Sequence, residues 1–494
     1  MPRLLAIDLG TSSVKVVIMD AAGQLLGVGN QEYPLHSPRP GWAEQDPDAW
    51  WSATQQAVQQ AVTAAGTGPL AAIGLSGQMH GTVLLDAALQ PLGPAIIWAD
   101  QRSRAVVAQF AARAGTQRLA ELAGTAPAAG FMGPTLLWLQ QHDPARLAAA
   151  RAAVLPKDAL RLRLTGELAA EATDASATAL FDIRQRRWSA EIMAAVGVPN
   201  TLLPQVLEPT SLAGMLRAEA AAALSLPAGT PVVAGCADQV AQAVGNGLFD
   251  PGSGSVTIGS GGQLFLPLAE PRGDPRLRLH TFCHALPQRW YLLGAMLTAG
   301  LALRWLRDLL GLTAAPDAYD RLAAQAAATP PGADGLLFLP YLAGERSPLM
   351  DPHARGSFVG LTLHHGPGHL ARAVMEGVAL ALRSIWEVMG ELHARPAQLL
   401  AVGNGLAGSV WRQIVADVLG CPLLLPAGRE QAGVGAAMLA GIGAGVYRDP
   451  ADARQIVPAP VATTEPNAAH EALYAMQYHR FRALYPCVTA RSSS

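Results

Sequence analysis

One carboxylate stands where open α/β proteins place their chemistry. Thr230-Pro231-Val232-Val233-Ala234-Gly235 reads as a buried strand ending at a glycine, and the residues after Asp238 read as a helix of small side chains. Asp238 therefore falls at the carboxyl end of a strand and the start of a helix, beside the crevice in which such sheets bind ligands. It could carry catalysis, or it could only cap the helix. A second carboxylate, Asp8, opens the turn Asp8-Leu9-Gly10-Thr11-Ser12-Ser13 between two apolar runs. Glycine, threonine and serine in such a turn expose consecutive N–H groups and hydroxyls, a concavity suited to phosphate oxygens. A carboxylate beside a phosphate calls for a cation such as Mg²⁺ between them; an Asx turn is the plain alternative. A matching turn, Gly259-Ser260-Gly261-Gly262, occurs in the second half, and Gly403-Asn404-Gly405 follows a strand as nucleotide loops often do. Two phosphate turns, one per half, would hold a polyphosphate between two domains. None is a Walker A loop, because no Gly-Lys-Ser/Thr closes them.

These residues need elements to carry them. Leu4–Ile7, Val14–Met19 and Leu25–Gln31 read as successive strands around the first turn. Asp46-Pro47 opens a helix with Asp as N-cap and Pro at the first position, running to about Ala65. Ala71–Leu75 and Thr82–Leu85 are strands flanking Ser76-Gly77-Gln78-Met79-His80-Gly81. The stretch 101–187 reads as mostly helical. In the second half, Ser255–Ile258 and Gln263–Leu266 repeat the opening hairpin. Leu399–Gly403 and Pro422–Leu425 are strands around a helix from Trp411 to Leu419. Glu430–Ala440 is a helix with a face of small residues, 450–465 a linker, and His470–Leu484 a last helix. The expected architecture is two α/β domains, residues 1–247 and 248–494.

At 494 residues the chain is too long for one core. Half of it is hydrophobic and 15% is charged, which excludes wholesale disorder. A net charge of −2 gives no electrostatic reason to expect nucleic acid or an anionic membrane. Four cysteines without metal or disulfide spacing fit a reducing cytoplasm, and no signal peptide or membrane span is expected. His364, His365 and His369 show no ligand spacing and read as surface or satisfied polar residues. Oligomeric state stays open, a homodimer being admissible.

The run Ala6-Ile7-Asp8-Leu9-Gly10-Thr11-Ser12-Ser13-Val14-Lys15 resembles the first phosphate loop of the actin-like ATPases. Within them the chain resembles the FGGY carbohydrate kinases from residue 4 to about 485. Gly41–Pro47, Gly74–Gly81, Trp98–Arg102, Leu155–Asp158 and Thr173–Ser176 carry the likeness in the first half. Tyr341–Pro348, Gly356–Leu361 and Glu376-Gly377 carry it in the second. The chain departs at Thr135, where a lysine is usual, and at the turns of 259–262 and 403–408, which keep backbone donors but lose hydroxyl and amine groups.

The resemblance implies two actin-like, ribonuclease H-like domains, each a mixed sheet flanked by helices, with the catalytic cleft between them. It implies ATP as donor and D-xylulose as acceptor, with another ketopentose, sugar acid or polyol as the enzyme alternative. A partner-driven actin-like or chaperone-like ATPase is the remote one. Asp238 is implied as the base for the sugar's terminal hydroxyl, since unassisted alkoxide formation is unfavourable at neutral pH. Asp8, with Asp238, is implied to hold Mg²⁺ through water. Gln78, Met79 and His80 are implied to line the sugar site. Gly10, Thr11, Ser12, Gly259, Ser260, Gly403, Asn404 and Gly405 are implied to bind ATP. Trp98, Asp100 and Arg102 could reach the same pocket or could form a buried salt-bridged corner.

Overall fold

A computed structural model describes residues 1–66, 68–428 and 430–489; residues 490–494 of the expected second domain lie outside them. In the first half, β1 (Arg3–Leu9), β2 (Ser13–Asp20), β3 (Leu25–Glu32), β4 (Leu70–Gly77), β5 (Leu212–Met215) and β6 (Pro231–Val233) form a mixed sheet ordered β5-β6-β4-β1-β2-β3, with β7 (Cys236–Ala237) also pairing to β4. β1 and β2 are buried along nearly their whole length. Their unbroken apolar pattern follows from helices covering both faces.

The second half repeats this plan. β8 (Ser255–Ile258), β9 (Gly262–Leu268), β10 (His280–Cys283), β11 (Trp290–Met296), β12 (Leu399–Val402), β13 (Leu423–Leu425) and β14 (Ala462–Thr464) run in the order β10-β11-β9-β8-β12-β13-β14. In both sheets an antiparallel meander is followed by two parallel strands and an antiparallel edge strand. The repeat, only a turn deep in sequence, is thus a whole sheet topology. β14 corrects the linker expected at 450–465: Ala462–Thr464 pairs with Leu423–Leu425, and Pro450–Arg454 is a short helix.

Nine helices matter for the site: α1 (Pro47–Ala65), α2 (Pro156–Thr165), α3 (Ala172–Ser176), α4 (Asp238–Gly245), α5 (Gly300–Leu309), α6 (Pro367–Glu391), α7 (Ser409–Leu419), α8 (Gln431–Gly443) and α9 (Glu471–Thr489). The Asp46 side chain accepts from the Asp48 N–H, capping α1 as its sequence requires. The small face of α8 has a specific use. A Cβ at Gly435 would strike the Ala241 carbonyl of α4, and one at Gly74 would strike the Ala436 carbonyl. α8 therefore leaves the second half and lies directly on the first sheet and on α4. One core cluster joins Leu4, Ala72, Val233 and Val240 to Ala436, Ala440, Phe265 and Tyr291, so apolar packing is continuous between the halves. Among the described residues no helix is long and apolar enough to cross a membrane.

Candidate active site

Three parallel strands set the frame. Asp8 on β1 aligns with Ser76 on β4, and Ser76 with Cys236 on β7. Adjacent strands lie about 4.8 Å apart, so Asp8 and the residue leading into Asp238 stand two strand gaps apart at one sheet end. Asp238 is the first residue of α4, but the N-cap position belongs to Ala237. The Asp238 carboxylate accepts from Gln239 N–H at 2.6 Å and does not close a cap across the first turn. Burial, with the Asp8 charge second, raises its pKa to about 7. Burial likewise raises Asp8, against the opposing effects of the Ser76 hydroxyl, donating at 2.6 Å, and Lys15.

Asp8 Oδ2 has no protein donor among the described residues, and the donors to Asp238 lie on Gln239 alone. Two mutually repelling carboxylates with unspent oxygens are a hard donor set of the kind Mg²⁺ takes. The residues present fit that ion.

The backbone carrying Asp238 is held by a buried charge cluster. Lys157 Nζ lies 2.8 Å from Asp158, 3.5 Å from Glu171 and 3.4 Å from Asp174, and Arg161 pairs with Asp158 at 2.7 Å. Burial opposes the Lys157 charge, but the three carboxylates outweigh it and its pKa rises. Burial raises Glu171 and, further, Asp174. Arg161 also donates to the Ala234 carbonyl at 2.8 Å, four residues before Asp238. The segments Leu155–Asp158 and Thr173–Ser176 thus lie behind the strand that leads into Asp238.

The first turn is braced on all sides. Gly10 N–H donates to Ser13 O at 3.0 Å, and the Tyr33 hydroxyl donates to the Gly10 carbonyl. Gln45 donates to Thr11 O at 2.6 Å, and Trp98 Nε1 donates to Thr11 Oγ1 at 2.9 Å. The N–H groups of Thr11 and Ser12 find no acceptor among the described residues, and neither do those of Ser260 and Gly261. Free consecutive N–H groups are what a phosphate needs.

Gly259, Ser260, Gly403, Asn404 and Gly405 line one cavity of about 900 Å³. Gly403 has a φ of 87°, and a Cβ there would strike the Ile258 carbonyl, so this loop packs directly on the strand that ends in the second turn. Met375, Trp411 and Arg304 complete the wall, as does Gln242 on α4. Gln242 lies one turn beyond Asp238 and on the same helix face. The cavity therefore reaches the helix that Asp238 begins.

Of the three residues left between pocket and corner, the structure divides them. Asp100 and Arg102 form the buried corner: Arg102 bonds Asp100 at 2.8 Å and Glu44 at 2.7 Å, and stacks on Trp42 at 3.6 Å. Trp98 turns to the first phosphate turn. Gln78 spends its amide N–H on Gln45 at 2.8 Å and, weakly, on Gly10 O. Met79 is packed in the inter-half core. His80, at φ 72°, stacks on Phe131 at 3.9 Å and meets the Ala177 carbonyl through Nδ1 at 2.7 Å. A carbonyl can only accept, so the proton sits on Nδ1 and Nε2 carries the free lone pair. Burial lowers the His80 pKa to about 3, and Arg346 and His280 add to that.

Arg346 and His280 are residues that sequence reasoning missed. Arg346 reaches from the second half to within 6.0 Å of the Trp98 ring and makes no ion pair among the described residues. Its neighbour Glu345 already accepts from the Leu297 and Arg346 N–H groups at 3.0 and 2.7 Å. The sequence places Arg346 directly after Glu345, so nothing local announced that it would go without an ion pair. His280 bonds Thr125 at 2.7 Å and stacks on Phe282 at 5.4 Å. His364 and His369 do gain a carboxylate partner, Asp334, at 3.4 and 3.1 Å. His369 Nδ1 already accepts from Gly366 N–H at 3.1 Å, so its proton sits on the Nε2 facing Asp334. Asp334 thus gathers both rings into one exposed polar cluster, which the sequence spacing did not announce.

Profiles of the FGGY family of carbohydrate kinases match residues 3–245 with its N-terminal domain and 254–444 with its C-terminal domain. The xylulose kinase of Escherichia coli is 37% identical over 97% of this chain and 98% of its own. The crystal structure of xylulose kinase from Rhodospirillum rubrum superposes with a TM-score of 0.93 at 32% identity, covering all of both chains. That of gluconate kinase from Lactobacillus acidophilus gives 0.93 at 26% identity, over 99% of this chain and 98% of its own.

Proposed function

The chain belongs to the FGGY family of carbohydrate kinases, and we propose that it transfers the γ-phosphate of ATP to the terminal hydroxyl of D-xylulose, giving D-xylulose 5-phosphate in the cytoplasm. The observation that carries the acceptor is the full-length likeness to xylulose kinases. The observation that carries the chemistry is Asp238, a carboxylate with a pKa near 7 beside a cavity lined by two glycine turns.

Phosphoryl transfer needs positioning, charge neutralisation and a base for the attacking hydroxyl. Asp238 accepts that proton; a base with a pKa near the working pH combines the ionised form with useful driving force. The free N–H groups of Thr11 and Ser12, and of Ser260 and Gly261, hold phosphate oxygens from the two halves. His80 Nε2 accepts from a sugar hydroxyl and Arg346 donates to another. Asp8 and Asp238 would hold Mg²⁺ through water, and the ion would supply neutralisation of phosphate charge there.

The gluconate kinase neighbour favours a second reading, a sugar acid whose carboxylate would pair with the otherwise unpaired Arg346. A coupled assay of ATP against D- and L-ketopentoses, glycerol and gluconate separates the two. D-xylulose should give the highest kcat/KM of the panel; a higher value for gluconate would replace the first reading with the second. Hydrolysis indifferent to every sugar would overturn both.

A further inference from the structure

Among the described residues, the Asp238 carboxylate is held by no side chain other than that of its neighbour Gln239. Its direction is therefore set by the backbone that delivers it. That backbone has one side-chain anchor immediately ahead of Asp238: Ala237 N–H donates to Thr173 Oγ1 at 2.8 Å. The same hydroxyl donates to Glu171 Oε1 at 2.8 Å, and Glu171 in turn accepts from Thr173 N–H at 2.7 Å and Asp174 N–H at 2.9 Å. Glu171 lies against Lys157. Thr173, Glu171 and Lys157 are fully buried.

The chain of bonds runs one way. A hydroxyl that donates to a carboxylate is polarised and becomes a better acceptor for the N–H behind it. Only a hydroxyl can do both jobs at once. An isosteric valine would leave the buried Ala237 N–H without its side-chain partner, a costly loss, and would strip one donor from Glu171 Oε1, which keeps the Asp174 N–H. Since Ala237 is the cap residue of α4, release of its N–H frees the torsion that aims Asp238.

We propose that Thr173 is a positioning residue for catalysis, holding the Asp238 carboxylate in line with the acceptor hydroxyl through Ala237. This rests on the reading of Asp238 as base. Thr173 is itself fully buried and spends its hydroxyl on Glu171 and Ala237, so the expected effect falls on the rate and not on binding.

The test is Thr173→Val and Thr173→Ser in the full chain, assayed with ATP and the best acceptor of the panel. Thr173→Val should lower kcat roughly 10- to 100-fold, the loss expected from misplacing a reacting group by about 1 Å, with both KM values within about twofold. Thr173→Ser should stay within about threefold of the parent. If the valine variant does not fold, Thr173→Ala removes the hydroxyl without setting a methyl against the Ala237 N–H. Retained kcat in the hydroxyl-free variant, equal losses in kcat and both KM values, or no recovery with serine would each overturn the proposal. A crystal structure of the hydroxyl-free variant without substrate reads the geometry independently of activity: an unmoved Asp238 carboxylate overturns the positioning role even if the acceptor proves to be another compound. A parent enzyme inactive on the whole panel would instead defeat the sugar-kinase function itself.

Discussion

Asp8 on β1 and Asp238 at the start of α4 are near enough to feel each other's charge: burial first, and the Asp8 charge second, raise the Asp238 pKa to about 7. Asp8 accepts from the Ser76 hydroxyl, brought by the neighbouring strand, and Asp238 accepts from its own neighbour Gln239.

Asp238→Asn keeps the shape and removes the base. Turnover should fall by roughly 10²- to 10⁴-fold, the usual contribution of general-base catalysis. Calorimetric titration should find ATP and sugar affinities within about threefold of the parent. Near-normal turnover would remove Asp238 from the reaction.

The pH profile follows from the raised Asp238 pKa. The ionised base is needed, so kcat/KM should fall about tenfold per unit below a limb near pH 7. Asp8→Asn removes a negative neighbour, which lowers the Asp238 pKa. The limb of its residual activity should move to lower pH, and a limb that stays or moves upward would contradict the coupling.

Lys157→Met strips the principal counter-charge from three buried carboxyls and should cost about 3–5 kcal/mol at pH 8. The sign with pH is set by Glu171 and Asp174, whose folded pKa values already lie above the ordinary ones. Groups of this kind stabilise below the unfolded pKa and lose that contribution as pH rises through the folded one. Losing Lys157 raises both further, so the penalty should shrink at pH 5. Urea unfolding at the two pH values checks this; equal penalties would count against it.

Gly403→Val places a β-branched residue at a left-handed φ and drives its Cβ into the Ile258 carbonyl. Strain of about 1–2 kcal/mol, with the collision added, should displace the loop. KM for ATP should rise about tenfold or more while KM for the sugar barely changes. A rise in the sugar KM alone would place this loop elsewhere in the mechanism.

Trp98→Phe and Arg102→Gln test the division between pocket and corner. Losing the bond to Thr11 Oγ1 should weaken ATP by about 1 kcal/mol, roughly fivefold. Arg102→Gln should lower thermal stability with both KM values close to the parent. Thermal melts and steady-state kinetics on the two variants read this directly, and the reverse pattern would exchange their assignments.

Sequence alone determined the local junctions. A β-branched run ending at Gly235 and passing into a helix at Asp238 is written in neighbouring residues, as are the glycine turns and the Asp46-Pro47 helix start, because backbone preference and turn chemistry act over a few positions. The segments scattered from residue 4 to 485 were enough to point to the family. Tertiary structure alone decided what each segment faces. Lys157, Glu171 and Thr173 converge behind Asp238 only once α2 and α3 pack against β7. Trp98 parts from Asp100 and Arg102 because a tight loop sends neighbouring side chains in different directions. Arg346 arrives from the other half, and α8 crosses back onto the first sheet because its glycines allow backbone contact there. Ala462–Thr464 becomes a strand because the edge of β13 offers unpaired backbone groups, which no local signal in those three residues announces.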